Sequence, residues 1–323
     1  MTIVISKPNK ASYDSPKSFR PIVLLNTLGK LIKKVIGDRL QFYVISNNFI
    51  HQNQLRGLKF KFTTDASIAL THFICMGWIK NMATSSLAFD IVQFFLSLNH
   101  RLLSLILGKA GLDLRVVNFF SNYFVNRRTK YFWNNFSSSS FDVNVGVDQG
   151  LALSPILFTL YLSLFFHILE KHLKNLDLKI FILFFVDDGL LLTQSKSFQV
   201  SNACLFSSYN IAFNLLSKFG LLVEHLKTET FHFSRMHGVF NLPPLDLSSL
   251  CGLVLYPKDT WKYLGFIFDR KLLFHQHIDF YANKALLTVK CMKILGNLTR
   301  GLIPHQKWLL YRSCALLIAL YGF

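Results

Sequence analysis

The chain has 323 residues, with 35 Lys and Arg against 17 Asp and Glu, for a formal net charge of +18. Hydrophobic residues make up 51% of it and charged residues only 16%, so it can bury a large core and is not an acidic, disordered or collagen-like chain. Because the few charges are two-thirds basic, the partner they suit is a polyanion: nucleic acid first, an anionic membrane surface second.

In chain order, residues 1–22 read TIVIS, KPNKASYDSPKS and FRPIVLL, which predicts two strands joined by a basic loop. Residues 27–47 set Leu28, Leu31, Ile32, Val35, Ile36, Leu40 and Tyr43 at helical spacing. A polar stretch with Arg56, Lys59 and Lys61 precedes a second helical pattern over 65–80. The short apolar run at 87–89 ends at Asp90 and leads to a helix over 100–110. Residues 131–136 and 141–147 are expected to pair as strands around a serine turn. A Gly-containing loop over 146–154 then hands on to a helix that Pro155 opens. Residues 180–186 and 190–193 are two β-type runs separated by Asp187, Asp188 and Gly189, a hairpin with its acids at the tip. An amphipathic helix over 200–219, a strand over 227–234, a hairpin at WKYLGFIFD and a mostly helical end over 276–323 complete the pattern.

A mean hydropathy of +0.35 makes a polytopic membrane protein the competing class. The best candidate among the uncharged runs, 149–169, is broken by Ser154, Pro155 and His167. Its largely apolar part is 14 residues, short of the roughly 20 that a span needs and suited to a core helix. The next run carries Asp187 and Asp188 at its centre, costly in hydrocarbon unless they line an ion path. No apolar stretch follows Lys7 and Lys10, so no secretory signal is read there. The five cysteines are odd in number and never CxxC, which predicts reduced core thiols without disulfide partners or a zinc site.

The chemistry-bearing feature is Asp90 at a strand end together with the Asp187–Asp188 pair. Two carboxylates about 4 Å apart repel by about 1 kcal/mol in water and about 4 kcal/mol at an effective dielectric of 20. A cation relieves that repulsion. Hard oxygen ligands without His or Cys select Mg²⁺ or Mn²⁺, and a pair of such ions supports phosphoryl transfer. Taken alone, an Asp-Asp-Gly run is more often only a turn.

Seven segments in order give that site a context: FRPIVLLNTLGKLIKKVIGDRL, LAFDIVQFFLSLNH, VGVDQGLALSPILFTLYL, FVDD, KTETFHFSR, YLGFIFDRKLLFHQHI and RGLIPHQKWLLYRSC. Together they resemble the reverse transcriptases of non-LTR (LINE-type) retrotransposons, from Lys7 to the last residue, and look closest to fungal elements. The resemblance implies an α+β fold with right-hand polymerase architecture and an antiparallel palm sheet. Fingers are expected over 1–80, palm with an interleaved fingers segment over 81–260, and palm end with a truncated helical thumb over 261–323.

It also implies an RNA-directed DNA polymerase that adds dNTPs to a DNA primer on an RNA template, working inside the cell, nuclear or cytoplasmic. Asp90, Asp187 and Asp188, with the carbonyl of Ile91, would hold two Mg²⁺ or Mn²⁺ ions. Lys227 would protonate the leaving pyrophosphate, Lys7 and Arg20 would hold the triphosphate, and Phe95 would wall off the sugar 2′ position. Gln149 and Gly150 would lie beside the templating base, and Lys59 and Lys61 are further phosphate candidates.

Where relatives commonly read STT, QFFPSL and QGSALSP, this chain has Phe62, Leu96 and Leu151. Each change can arise from one C-to-T transition in a codon, and the 33 phenylalanines lean the same way, so a decaying element copy is expected. Measured against the family pattern, the chain is expected to lack an upstream nuclease and the rest of the thumb. A catalytically dead nucleic-acid-binding remnant is the alternative in the binding class.

Overall fold

The structure is a computed structural model that describes the chain except residues 9, 11, 56–60, 236–241, 295–300 and 323. Strands β1 (Thr2–Ser6) and β2 (Phe19–Val23) pair antiparallel and are joined by the basic loop, which closes with a 3₁₀ turn, Pro16–Ser18. Helix α1 (Thr27–Ser46) follows, capped by the Asn26 side chain on the Gly29 amide, then α2 (Thr63–Ile79). The central strand β3 (Ala83–Asp90) leads to α3 (His100–Lys109) and α4 (Leu114–Phe124).

Four short strands come next: β4 (Arg128–Thr129), β5 (Tyr131–Trp133), β6 (Phe136–Ser137) and β7 (Phe141–Asp142). Their pairing differs from the sequence expectation. β5 turns tightly into β6 and β4 pairs with β7, while β5 also runs parallel to β1. The serine run therefore links two different ladders, a long-range arrangement that local alternation does not encode.

The long helix α5 (Ser154–Asn175) is followed by β8 (Ile180–Phe185), β9 (Asp188–Ser195), α6 (Phe198–Lys218) and β10 (Glu229–Phe233). Then come β11 (Leu245–Leu247), the single turn α7 (Ser248–Cys251), β12 (Leu253–Leu255), and the hairpin β13 (Thr260–Tyr263) and β14 (Phe266–Asp269). The chain ends in α8 (His275–Ile294), α9 (Pro304–Leu310), a π turn over Tyr311–Ala315 and α10 (Leu316–Ala319).

The sheet that organises the molecule has the order β10-β3-β9-β8, all antiparallel. Both of its faces are buried. Leu87, Phe89, Ile182, Phe184 and Leu191 meet residues of α5 and α6 on one face. Leu183, Phe185, Leu190, Leu192, Phe231 and Phe233 meet α2 and the β13–β14 hairpin on the other. That double burial is why IFILFF and LLL read as unbroken apolar runs.

Helix α5 is the one described helix long and apolar enough to cross a membrane, and it is buried in the core along most of its length. Its polar groups find protein partners: Tyr161 donates to the Phe219 carbonyl at 2.5 Å, Ser163 to Gln54 Oε1 at 2.8 Å, and Gln54 Nε2 to the Thr159 carbonyl at 3.0 Å. In α1 the packed side is Gly37, Leu40 and Val44, whereas Leu28, Leu31, Ile32 and Val35 are exposed, so half of its apolar pattern faces away from the core.

Candidate active site

Asp90 ends β3 and Asp188 opens β9, and the two are register partners on neighbouring strands. Phe185 pairs directly with Asp188, so the hairpin turn consists of Val186 and Asp187 alone. The expected tip of Asp187, Asp188 and Gly189 is thereby corrected, because Asp188 and Gly189 belong to the strand. Two-residue hairpin turns with the II′ twist need positive φ at their first residue, a place usually held by Gly. Here Val186 takes it, at φ 64°. A β-branched residue in that region stores about 1–3 kcal/mol of strain.

Neighbouring contacts hold the strained turn. The Ile91 amide donates to the Asp187 carbonyl at 3.0 Å. Gly189 lies between two rings, where a Cβ would stand 2.5 Å from Phe89 and 2.7 Å from Phe184. Only glycine lets the rings close under the acids.

Asp90 and Asp187 line a cleft of about 1890 Å³. Lys7, Arg20, Phe95, Gln149, Gly150 and Lys227 all line it, as do Asp90, Ile91 and Asp187, so the topology gathers the residues singled out in the sequence. Asp188, the register partner of Asp90, is not among the residues that line it. Lys61 also lines the cleft, whereas Lys59 lies outside the described residues.

Lys227 stands on a 3₁₀ turn, His225–Lys227, rather than in the strand predicted from 227, because β10 begins two residues later at Glu229; its ammonium pairs with Asp90. Burial pulls the Lys227 pKa down, but the Asp90 hydrogen bond and the charges of Asp90, Glu224 and Asp187 outweigh it, so the net shift is upward. Lys7 moves the opposite way. Burial lowers it first, then the cations of Arg20, Lys10 and Lys227, against a smaller pull from Asp90.

Phe95 is half-buried, edge-on to Phe94 at 5.4 Å and to Phe158 at 5.8 Å, while also facing the cleft. Core packing and a cleft wall are thus the same side chain. Gly150 has φ +97°, and the Gln149 carbonyl accepts from the Val23 amide at 3.1 Å, which ties the loop to β2.

Sequence reasoning missed the group that anchors this loop. Asp148, 9% exposed, receives Lys33 Nζ at 2.7 Å, the Tyr123 hydroxyl at 2.6 Å and a guanidinium hydrogen bond from Arg127. Burial raises its carboxyl pKa, but Arg127, Lys33 and Tyr123 together bring it below the usual range. Arg127 also donates to the Gly146 carbonyl at 2.9 Å. The only signal was an acid in an apolar loop, and its partner Lys33 lies 115 residues away. Glu224 and Lys17, which pair at 3.2 Å across the edge of the cleft, were missed for the same reason.

Among the described residues no three His, Cys, Asp or Glu side chains converge closely enough to enclose a metal ion by themselves. The site instead offers the carboxylates of Asp90, Asp187 and Asp188 where β3 meets the β8–β9 turn, all hard oxygen donors.

Comparison with known proteins gives the chain's relatives and its fold. The chain is 24% identical to a probable RNA-directed DNA polymerase from transposon BS of Drosophila melanogaster, over 99% of this chain and 35% of that protein. It is 25% identical to the RNA-directed DNA polymerase from mobile element jockey of the same species, over 85% of this chain and 29% of that one. The chain therefore spans about a third of the length of the curated relatives it matches. These relatives bear out the likeness to non-LTR elements and do not bear on the fungal comparison.

Among solved structures, apo telomerase from Candida tropicalis truncated from its C-terminal domain superposes with a TM-score of 0.52 at 14% identity, covering 80% of this chain and 52% of that one. That likeness gives the fold, an α+β polymerase fold with an antiparallel central sheet. The family of the reverse transcriptase (RNA-dependent DNA polymerase) matches residues 5–268, and with most of its length inside that match the chain belongs to this family.

Proposed function

We propose that the chain is the polymerase region of a mobile-element reverse transcriptase, adding dNTPs to the 3′ end of a DNA primer paired with an RNA template. The observation that carries this reading is the register pairing of Asp90 with Asp188 next to the Asp187 turn, at a cleft that Asp90, Asp187, Lys7 and Arg20 line together. We assign residues 1–80 to the fingers, 81–260 to the palm with its interleaved fingers segment, and 261–323 to the palm end and part of a thumb.

Reverse transcriptases are generally dependent on divalent metals, and the donors here suit Mg²⁺ or Mn²⁺, being carboxylates with no imidazole or thiolate among them. Asp90, Asp187 and Asp188, with the Ile91 carbonyl, would hold two such ions, and substrate phosphates would supply the remaining ligands. Bound there, the ions would make the primer 3′-hydroxyl a better nucleophile and offset the charge of the pyrophosphate.

The chain's own residues do the rest. Lys7 and Arg20 hold the triphosphate, for which a guanidinium fork is well shaped. Phe95 presents its ring to the sugar, where a 2′-hydroxyl would clash. Gln149 and Gly150 bring backbone close to the templating base. Lys227 stays protonated through neutral pH and is placed to give a proton to the leaving pyrophosphate.

In the free protein Lys227 pairs with Asp90, so it must leave that carboxylate when cations arrive. An intracellular site of action, nuclear or cytoplasmic, belongs to the same proposal. Primer extension on an RNA template with Mg²⁺ or Mn²⁺ tests the reading. Template-dependent dNTP addition is expected, and binding of the hybrid without extension would leave the nucleic-acid-binding remnant.

A further inference from the structure

The loop between β1 and β2 is fastened across the cleft to the strand that carries the catalytic acid. Lys7 Nζ donates to the Lys17 carbonyl at 2.7 Å, and the Tyr13 hydroxyl donates to the Lys7 carbonyl at 2.7 Å, so the two ends of the loop hold each other. Lys17 Nζ then reaches Glu224 Oε2 at 3.2 Å, a residue 207 positions away. The Glu224 backbone is itself fixed to the acid, because its amide donates to the Asp90 carbonyl at 2.8 Å and its carbonyl accepts from the Lys227 amide at 3.0 Å. Glu224 is mostly buried, at 21% exposure, whereas Lys17 is 66% exposed, so the palm side of this contact is fixed and the loop side can swing away.

We propose that the Lys17–Glu224 ion pair is a clasp that sets the loop over the acids, which makes Glu224 and Lys17 positioning residues for the incoming nucleoside triphosphate; this rests on the polymerase reading above. The Lys7 ammonium is tied to the Lys17 carbonyl, so the clasp fixes where Lys7 stands before any triphosphate arrives. Opening it leaves the acids untouched and takes away a preset binding wall. A ligand must then spend part of its binding energy on ordering the loop. Because one partner is exposed, the contribution is modest and falls with salt.

The test is steady-state primer extension by the full chain with Lys17→Met, with Glu224→Gln and with both. Each single change is expected to raise KM for dNTP about 2- to 5-fold, with Lys17→Met leaving kcat and hybrid affinity within about twofold. The double variant should be no worse than either single one, since one contact is lost in each case. The charge-swapped pair Lys17→Glu with Glu224→Lys should recover much of the native KM, whereas Glu224→Lys alone should not. An unchanged KM in Lys17→Met, or fully additive effects, overturns the clasp.

Should the native chain not extend a primer, the polymerase reading fails separately, and the clasp is judged from amide hydrogen exchange at Ser18, whose N–H donates to the Ser15 carbonyl at 2.9 Å. Faster exchange in Lys17→Met and Glu224→Gln supports the clasp. Unchanged exchange overturns it.

Discussion

At the scale of single residues, the ion pair between Lys227 and Asp90 has two opposed consequences. It keeps the lysine protonated, which suits the proposed general acid, and it occupies a carboxylate that the proposed cations would need. Lys227→Met is therefore expected to lower kcat by about 10²-fold, while Mn²⁺ binding to the free protein, read by electron paramagnetic resonance, becomes tighter. Weaker Mn²⁺ binding in that variant would place the ions elsewhere.

Phe95 calls for a comparison of two measurements, because its ring is packed against Phe94 and Phe158 as well as lining the cleft. Phe95→Val should raise ribonucleotide incorporation relative to deoxynucleotide in competition assays, and it should also lower stability. Stability loss with an unchanged ratio would leave the ring as packing alone. The departures from the family pattern separate in the same way. Phe62 is 60% exposed, so Phe62→Ser should leave the unfolding midpoint nearly unchanged, but Leu151 is only 7% exposed. Leu151→Ser should cost about 2 kcal/mol or more in urea denaturation, even if the restored hydroxyl improves extension as the decay reading expects.

At the scale of elements, the loop over residues 146–150 depends on a buried charge cluster. Removing one member of such a cluster strands the others, at a cost of about 3–5 kcal/mol. Asp148→Ala should therefore be strongly destabilising, whereas replacing Asp148, Lys33 and Arg127 together by apolar residues should recover much of the loss in urea denaturation.

Strand β10 makes a pH-dependent prediction. His232, fully buried beside Ser85 Oγ at 2.8 Å, has its pKa pushed down to about 4 by burial, against a smaller raising effect of the Pro243 carbonyl. Its unfolded pKa is near 6.5, so the unfolded chain binds the extra proton between those values and stability falls as pH drops from about 6.5 to 4. The loss is about 3 kcal/mol. His232→Gln should flatten that part of a stability-versus-pH curve.

Elements of this kind divide by how local their causes are. The helices with a cap or opening proline and the WKYLGFIFD hairpin were legible because spacing and turn residues are local. So was the gathering of Asp90 with the Asp187–Asp188 pair, through the family motifs. The β4–β7 pairings, the turn at Val186 and the Asp148 cluster were not, since each is decided by partners distant in sequence or by strain that neighbouring groups hold in place.

At the scale of the molecule, the high hydropathy that admitted a membrane reading is explained by a sheet buried on both faces and by α5 inside the core. The charge, +18, is left for the surface and the cleft. A duplex tracked by that surface releases counterions, so log K for an RNA–DNA hybrid should fall with log salt. A slope of several units, at about −0.9 for each phosphate neutralised on B-form DNA, is expected, with weak sequence preference. A salt-independent affinity would contradict a basic binding groove.

The central claim is that the acids on adjacent strands carry the chemistry while other residues carry the binding. The direct measurement pairs primer extension with hybrid affinity for Asp90→Asn and Asp187→Asn at matched salt. Both variants are expected to lose extension and to bind the hybrid as the native chain does, with an unchanged fold. Native-like extension in either variant would contradict the claim.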